Sequence, residues 1–352
     1  MSFSVLKLLL FFIGILSFGY IIYTILLKFS RNLGIRNTDE TLIRWSNEQK
    51  PALGGIGFYI AFLISVASYF LLFNFGYTEI NIQLRGLIIA SSLAFLMGLA
   101  DDAYNTKPLL KFVSQLICAF VLIYHQLYIP FFEDIWLNYL ITALWVVGLM
   151  NSLNMLDNMD GITTLISISI CMHFIAINIF IQSSITVFTF IIIGLLGILL
   201  SFLLFNKYPS KMFMGDTGSQ FLGVSLAGLS ILFFSKNPTE NTSFLNNTQW
   251  LSFILSFIVP ITDTTTVFIN RIRKGKSPFI GGKDHTTHHL SYKGFSDNKI
   301  GLLLFSISLI ANVLAFLQVL STSGSLSLLI LVDVAYIIFI FLFLYLPTLR
   351  KK

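Results

Sequence analysis

Charge is scarce in this chain. Only 11% of its 352 residues are Asp, Glu, Lys or Arg, against about 25% in an ordinary soluble domain. A full 56% are hydrophobic, and the mean hydropathy is +0.84. A chain so poor in polar surface cannot cover itself against water and must take lipid as part of its solvent. Cysteine is nearly missing as well. The only two, Cys118 and Cys171, lie inside apolar runs, which excludes a disulfide framework and a cysteine-built zinc site. No low-complexity tract, clear internal repeat or soluble domain interrupts the sequence. The formal net charge of +6 does not point to nucleic acid, because the basic residues sit between apolar segments rather than on soluble helices.

What fills the chain is a series of apolar segments, each near the roughly 20 residues needed to cross a bilayer. They run over 4–27, 54–74, 84–100, 109–128, 134–152, 162–182, 185–205, 218–235, 249–270, 300–320 and 326–347. The first, from Leu8 to Leu27, outruns the roughly 7–15 residues of a signal-peptide core and no small-x-small cleavage site follows it, so it reads as a retained helix. The expected fold is all-α: one polytopic integral membrane domain over 1–352, with about eleven transmembrane helices. Placing the segment 28–53 inside puts 19 of the 22 Lys and Arg in inner loops, leaving only Lys7, Arg85 and Lys236 elsewhere. The positive-inside rule then sets the N-terminus outside and the C-terminus in the cytoplasm.

On that topology the inner loops near 28–53, 101–108, 151–161, 206–218 and 271–299 collect the polar residues that a lipid-embedded chain should avoid. They hold Asp101, Asp102, Asp157, Asp160, Asp216 and Asp284, with His285, His288 and His289. So many carboxylates on one face must repel each other or hold cations. Asp101 and Asp102 close a helix, where adjacent carboxylates shift each other's pKa, share a divalent ion or let one act as base. They read equally well as an interfacial cap with Lys107 and Lys111 as counter-charges. Asn151, Asn154 and Asp157 step by three and share one helix face, a costly arrangement at a membrane helix end without a ligand or partners. Gly215-Asp216-Thr217-Gly218-Ser219 opens another span, where backbone N–H groups and a metal can approach a phosphate together. An ordinary N-cap by Asp216 or Thr217 has the same pattern. Phe213, just ahead, is placed either to stack on a base or to anchor at the interface. The three histidines suggest zinc by number, but the neighbouring carboxylates favour Mg²⁺.

These elements, in this order and on this side, resemble the polyprenyl-phosphate N-acetylhexosamine-1-phosphate transferases. That superfamily includes the bacterial enzymes that start O-antigen, enterobacterial common antigen and teichoic-acid linkage units, and the peptidoglycan phospho-MurNAc-pentapeptide translocase. The likeness runs from Pro51-Ala52-Leu53-Gly54-Gly55 to the histidine loop. It implies a multi-pass enzyme of the bacterial inner membrane, often a homodimer, with its site facing the cytoplasm. In such an enzyme undecaprenyl phosphate attacks a UDP-sugar, an N-acetylhexosamine donor such as UDP-GlcNAc, and UMP leaves. The implied cofactor is Mg²⁺, with Mn²⁺ as the substitute ion.

Carried over by resemblance, Asp101 matches the base that deprotonates the lipid phosphate, and Asp102 its acidic partner near substrates or metal. Asp216 matches the metal ligand. Asn154, Asp157 and Asp160 match the nucleotide-sugar motif, with Asn151 on the same face and Lys111 close by. Phe213 matches the aromatic under the uracil, and His288 and His289 the histidines near the pyrophosphate. Two departures stand out. Where the sugar-phosphate transferases read His-x-His-His, this chain has Thr286-Thr287-His288-His289 with His285 one position earlier, and Asn158 follows Asp157 where the family often has glycine. The Pro-x-His-His-His of the peptidoglycan branch has no counterpart. A transporter is the rival from another class, but its charges belong near mid-bilayer. Here the acids sit at the ends of spans, apart from Asp263 and Asp333.

Overall fold

The computed structural model describes residues 3–32, 50–73, 81–182, 185–234, 249–277, 282–320 and 326–349. Residues 33–49, with Arg36 and Arg44, lie outside the described residues, as do Lys236, Pro278, Phe279 and Arg350 to Lys352. The described chain is helical, with no strand and a single isolated parallel bridge between Ala52 and Phe213. In order the helices are α1 (Phe3–Asn32), α2 (Gly54–Phe73), α3 (Ile82–Tyr104), α4 (Pro108–Tyr124), α5 (Ile135–Leu156), α6 (Ile162–Ile177), α7 (Val187–Asn206) and α8 (Gly215–Phe234). Then follow α9 (Gln249–Ser256), α10 (Ile258–Arg273), α11 (Thr286–Tyr292), α12 (Asp297–Leu320) and α13 (Leu326–Leu349).

Each of the eleven expected spans falls on helix, yet fewer of them meet the length and apolarity of a crossing. Among the described residues eight do, or nine if α9 and α10 count as one bent span. Two differences have local causes. α4 is only 17 residues long, because Lys107 and Pro108 set its start and His125 closes it short of the expected end at 128. The segment 249–270 is two helices meeting at 78°. Pro260 lies in the first turn of α10 and has no N–H to give the carbonyl of Ser256, so the helix breaks where that bond fails.

α8 is the hub, packed against α2, α3, α4, α5, α6 and α9. Every residue from Thr217 to Phe233 is buried. In lipid the drive for such packing is close van der Waals fit and interhelical hydrogen bonding rather than escape from water. Gly98 on α3 shows the closeness: a Cβ there would stand 2.4 Å from the Asp216 carbonyl oxygen. The serines of α8 bond its neighbours. Ser225 lies 2.9 Å from Ser91 of α3, and Ser230 accepts from Trp145 Nε1 of α5 at 3.0 Å. The same packing brings the end of α3, the start of α4, the end of α5 and the start of α8 together.

Candidate active site

At that junction two carboxylates face one ammonium. Asp101, in the last turn of α3 and only 6% exposed, accepts at Oδ1 from the backbone N–H and hydroxyl of Thr106 at 2.8 and 2.6 Å. Those bonds are local, because Asn105 takes a left-handed conformation (φ 50°) that turns the chain back over the helix end. Asp216, in the first turn of α8, accepts at Oδ1 from Asn154 Nδ2 at 2.7 Å. The remaining oxygen of each, Oδ2, is paired with Lys111 Nζ, at 2.9 Å for Asp216. Asn154 also donates to Ser219 at 2.9 Å, so α5 and α8 are cross-linked at the site.

Of the expected face of α5, Asn151 and Asn154 meet partners on α4 and α8, and the polar row extends further than its motif. Asn151, one turn before Asn154, donates to Gln115 Oε1 at 2.8 Å, and Gln115 donates to Gln220 Oε1 at 3.0 Å. Gln115 and Gln220 were not among the expected site residues. Both were within reach of the same logic, since each stands four residues after a charged member of the site, Lys111 and Asp216, on the same helix face.

Asp102 faces the other way from Asp101. Its Oδ1 accepts from the N–H of Asp216 at 2.9 Å, and its Oδ2 from the N–H and hydroxyl of Thr217 at 2.9 and 2.6 Å. It thus acts as an N-cap supplied by another helix, satisfying the open donors of α8 with a negative charge at the positive end of that helix. Gly215, with φ +77°, makes the approach possible: a Cβ there would meet Asp102 Oδ2 at 2.6 Å.

A second group holds the residues expected around a nucleotide. Asp160 accepts from the N–H and hydroxyl of Ser210, both at 2.8 Å, and lies 3.9 Å from Lys50 Nζ. That ammonium stands 5.5 Å above the ring of Phe213, a cation–π distance. Phe213 is fixed by its backbone: its N–H donates to the Pro51 carbonyl at 2.9 Å and its carbonyl accepts from Gly54 at 3.1 Å. Asp157 caps the end of α5, its N–H on the Leu153 carbonyl. Lys50 and Ser210 carried no motif of their own and were missed.

The histidines form a third group. Asp263 of α10 is fully buried and accepts from Thr286 N–H and hydroxyl at 2.8 and 2.6 Å, with His285 Nδ1 at 2.8 Å from its other oxygen. This accounts for Asp263, which the sequence left unexplained inside a span, and for the displaced His285: the pair docks the start of α11. His288 is buried with its ring edge-on to His285 at 5.3 Å, whereas His289 is partly exposed against Tyr292. Burial, then the neighbouring His285, push the pKa of His288 down to about 4. Asp284 meets Arg271 through two bonds of 2.8 and 2.7 Å. Burial alone raises that carboxyl, but the guanidinium outweighs it and holds it below the usual range.

The six carboxylates therefore share an end of the molecule without forming one cluster; most have their own cation or helix end. Among the described residues no three His, Cys, Asp or Glu side chains converge as a metal set. Two carboxylate oxygens do converge, those of Asp101 and Asp216, and a cationic group already lies between them. That fits Mg²⁺, which is bound through one or two carboxylates, waters and substrate phosphates rather than in an all-protein cage.

Comparison with known proteins identifies the family. Residues 84–234, which carry Asp101, Asp102, Lys111, the α5 motif and Asp216, match the glycosyl transferase family 4 pattern. A probable undecaprenyl-phosphate N-acetylglucosaminyl 1-phosphate transferase of Bacillus subtilis is 29% identical over 75% of this chain and 72% of its own. A phospho-N-acetylmuramoyl-pentapeptide-transferase of Listeria welshimeri is 31% identical over 77% of this chain and 84% of its own. A decaprenyl-phosphate N-acetylglucosaminephosphotransferase of Mycolicibacterium smegmatis is 26% identical over 72% and 68%. With its membrane helices, its paired carboxylates and this extent of similarity, the chain belongs to glycosyl transferase family 4, the superfamily that its motifs resemble.

Proposed function

We propose that the protein transfers a sugar-1-phosphate, an N-acetylhexosamine-1-phosphate such as GlcNAc-1-phosphate, from a UDP-sugar to undecaprenyl phosphate at the cytoplasmic face of a bacterial inner membrane. The observation that carries this reading is the Asp101–Lys111–Asp216–Asn154 constellation at the junction of α3, α4, α5 and α8. It offers negative oxygens for a cation, an ammonium for a phosphate and a buried carboxylate as base, next to a helix bundle that a prenyl chain can lie against. The naming of the relatives as prenyl-phosphate sugar transferases supports the same chemistry.

In the proposed reaction an oxygen of the lipid phosphate forms a bond to the β-phosphorus of the UDP-sugar. The bond from that phosphorus to the bridging oxygen breaks, and UMP leaves. Asp101 takes the proton of the lipid phosphate if it arrives protonated. Lys111 steadies phosphate charge, and Asn154 holds Asp216 in register. A divalent ion held by Asp216 would supply charge neutralisation at the phosphates. Asp157 and Asp160 flank the loop that receives the nucleotide, with Phe213 beneath the base, and His288 and His289 border the pyrophosphate. Asp102 contributes by fixing the α8 end on which Asp216 stands.

A second reading, transfer of phospho-MurNAc-pentapeptide, is favoured by the 31% identity to the Listeria relative. The absence of Pro-x-His-His-His weighs against it. A donor panel separates the two. Purified protein with undecaprenyl phosphate and Mg²⁺ is given UDP-GlcNAc, UDP-GalNAc and UDP-MurNAc-pentapeptide in turn, and UMP is followed. Release with an N-acetylhexosamine donor supports the first reading, and release with the pentapeptide alone replaces it with the second.

A further inference from the structure

We infer that Lys111 is the resident cation of the substrate-free site and that it leaves its seat when a divalent ion binds. The inference rests on the transfer reading above and adds to it how the site keeps its charge balanced before the ion arrives.

The geometry is specific. Each of the two carboxylates has one oxygen committed elsewhere, Asp101 Oδ1 to Thr106 and Asp216 Oδ1 to Asn154. The two uncommitted oxygens, both Oδ2, are held by one ammonium. Thr106 and Asn154 are anchored by the turn after α3 and by α5, so the orientation of both carboxylates is set by the fold and not by Lys111 alone. A divalent ion that takes Asp216 Oδ2 meets Lys111 Nζ, which already holds that oxygen at 2.9 Å. Two cations do not share one position, and between neighbouring seats they repel.

The lysine is built to move. Lys111 lies in the first turn of α4, its side chain 27% exposed, on a flexible four-carbon stem with rotatable donors. The carboxylates it leaves stay fixed by their other bonds. Once displaced, the ammonium would remain within reach of a phosphate entering the same site, so one positive charge serves the empty site and the loaded site in turn. Asp102 does not compete for the ion, because the start of α8 occupies both of its oxygens.

The test uses substrate-free full-length protein in detergent. In the first arm, wild-type protein is treated with an amine-acetylating reagent, and modification of Lys111 is followed by mass spectrometry with and without Mg²⁺. The expected result is a several-fold faster modification with Mg²⁺. An unchanged or slower rate means that the ion binds alongside a stationary lysine and overturns the inference. In the second arm, Mn²⁺ binding is followed by electron paramagnetic resonance. Lys111→Gln is expected to bind at least tenfold more tightly than wild type, and equal or weaker binding overturns the inference. Mg²⁺-dependent UMP release with no change in Lys111 modification sinks this inference and leaves the transfer reading standing. Absence of both UMP release and Mn²⁺ binding sinks the two together.

Discussion

The hydroxyl of Thr287 donates to Asn158 Oδ1 at 2.7 Å, joining α11 to the loop that follows α5. Both residues stand where this sequence departs from the pattern it resembles: Asn158 in place of the frequent glycine, Thr287 in the altered histidine stretch. Asn158 also donates to the Met155 carbonyl at 2.8 Å, so its side chain bridges the end of α5 and the histidine helix. Thr287 is fully buried, and removing its partner leaves a polar group unpaired. Asn158→Ala is expected to cost about 1–3 kcal/mol. Thr287→Val added to it is expected to cost little more, a coupling of about 0.5–1.5 kcal/mol. Thermal unfolding of the four proteins in detergent measures the cycle, and strictly additive losses would show that the bond carries no weight.

Asp101 and Asp102 are neighbours in sequence with separate tasks. Asp101→Asn keeps the Thr106 bonds within reach but removes the basic oxygen, so turnover is expected to fall about 10²–10⁴-fold with little change in melting temperature. Asp102→Asn weakens three bonds to the start of α8 and is expected to lower stability by about 1–3 kcal/mol together with activity. Paired melting and rate measurements decide. Equal thermal losses in both variants would contradict the division of labour.

The depressed pKa of His288 gives a pH dependence with a definite sign. In an unfolded chain its ring takes a proton near 6.5, whereas in the fold it resists until about 4. As pH falls between those values the unfolded state binds the extra proton, so its share of stability is present above 6.5 and lost on the way down to 4. The loss amounts to about 3 kcal/mol, at about 1.4 kcal/mol per pH unit. His288→Gln should flatten the fall of melting temperature across that window. An unaltered slope would remove His288 as its source.

The two native cysteines are buried, so introduced ones report topology with little background. Glu133 and Lys276 are both exposed, near opposite ends of the bundle by the order of the helices. Glu133→Cys is expected to react with a membrane-impermeant thiol reagent in whole cells, and Lys276→Cys only after the membrane is opened. The reverse pattern would turn the whole site to the other face.

Much of this was legible in the sequence because the signals were local. The spacing of Asn151, Asn154 and Asp157 placed a polar face at the end of α5, and two of the three meet partners on α4 or α8 there. Asp216 before an apolar run marked the start of α8. Other features depended on contacts between distant segments. Nothing in Asp101-Asp102 says that the second carboxylate reaches across to cap α8. Asp263 reads as an isolated charge in a span until α11 folds back over it. The segment 249–270 reads as one span because composition does not register an interrupted backbone bond at Pro260. The count of crossings differs for a similar reason: α4 is apolar apart from the Lys111 to Gln115 stretch, but its two ends are set by Lys107 and Pro108 and by His125.

The transfer itself is tested most directly by following the β-phosphate. Protein in detergent, with Mg²⁺ and undecaprenyl phosphate, is given UDP-GlcNAc labelled either in the β-phosphate or in the sugar, and the lipid is extracted. The account predicts both labels in the lipid in equal amounts, with UMP as the released nucleotide. Sugar label in the lipid without the β-phosphate label, with UDP released, would mean glycosyl transfer without the phosphate and would contradict it.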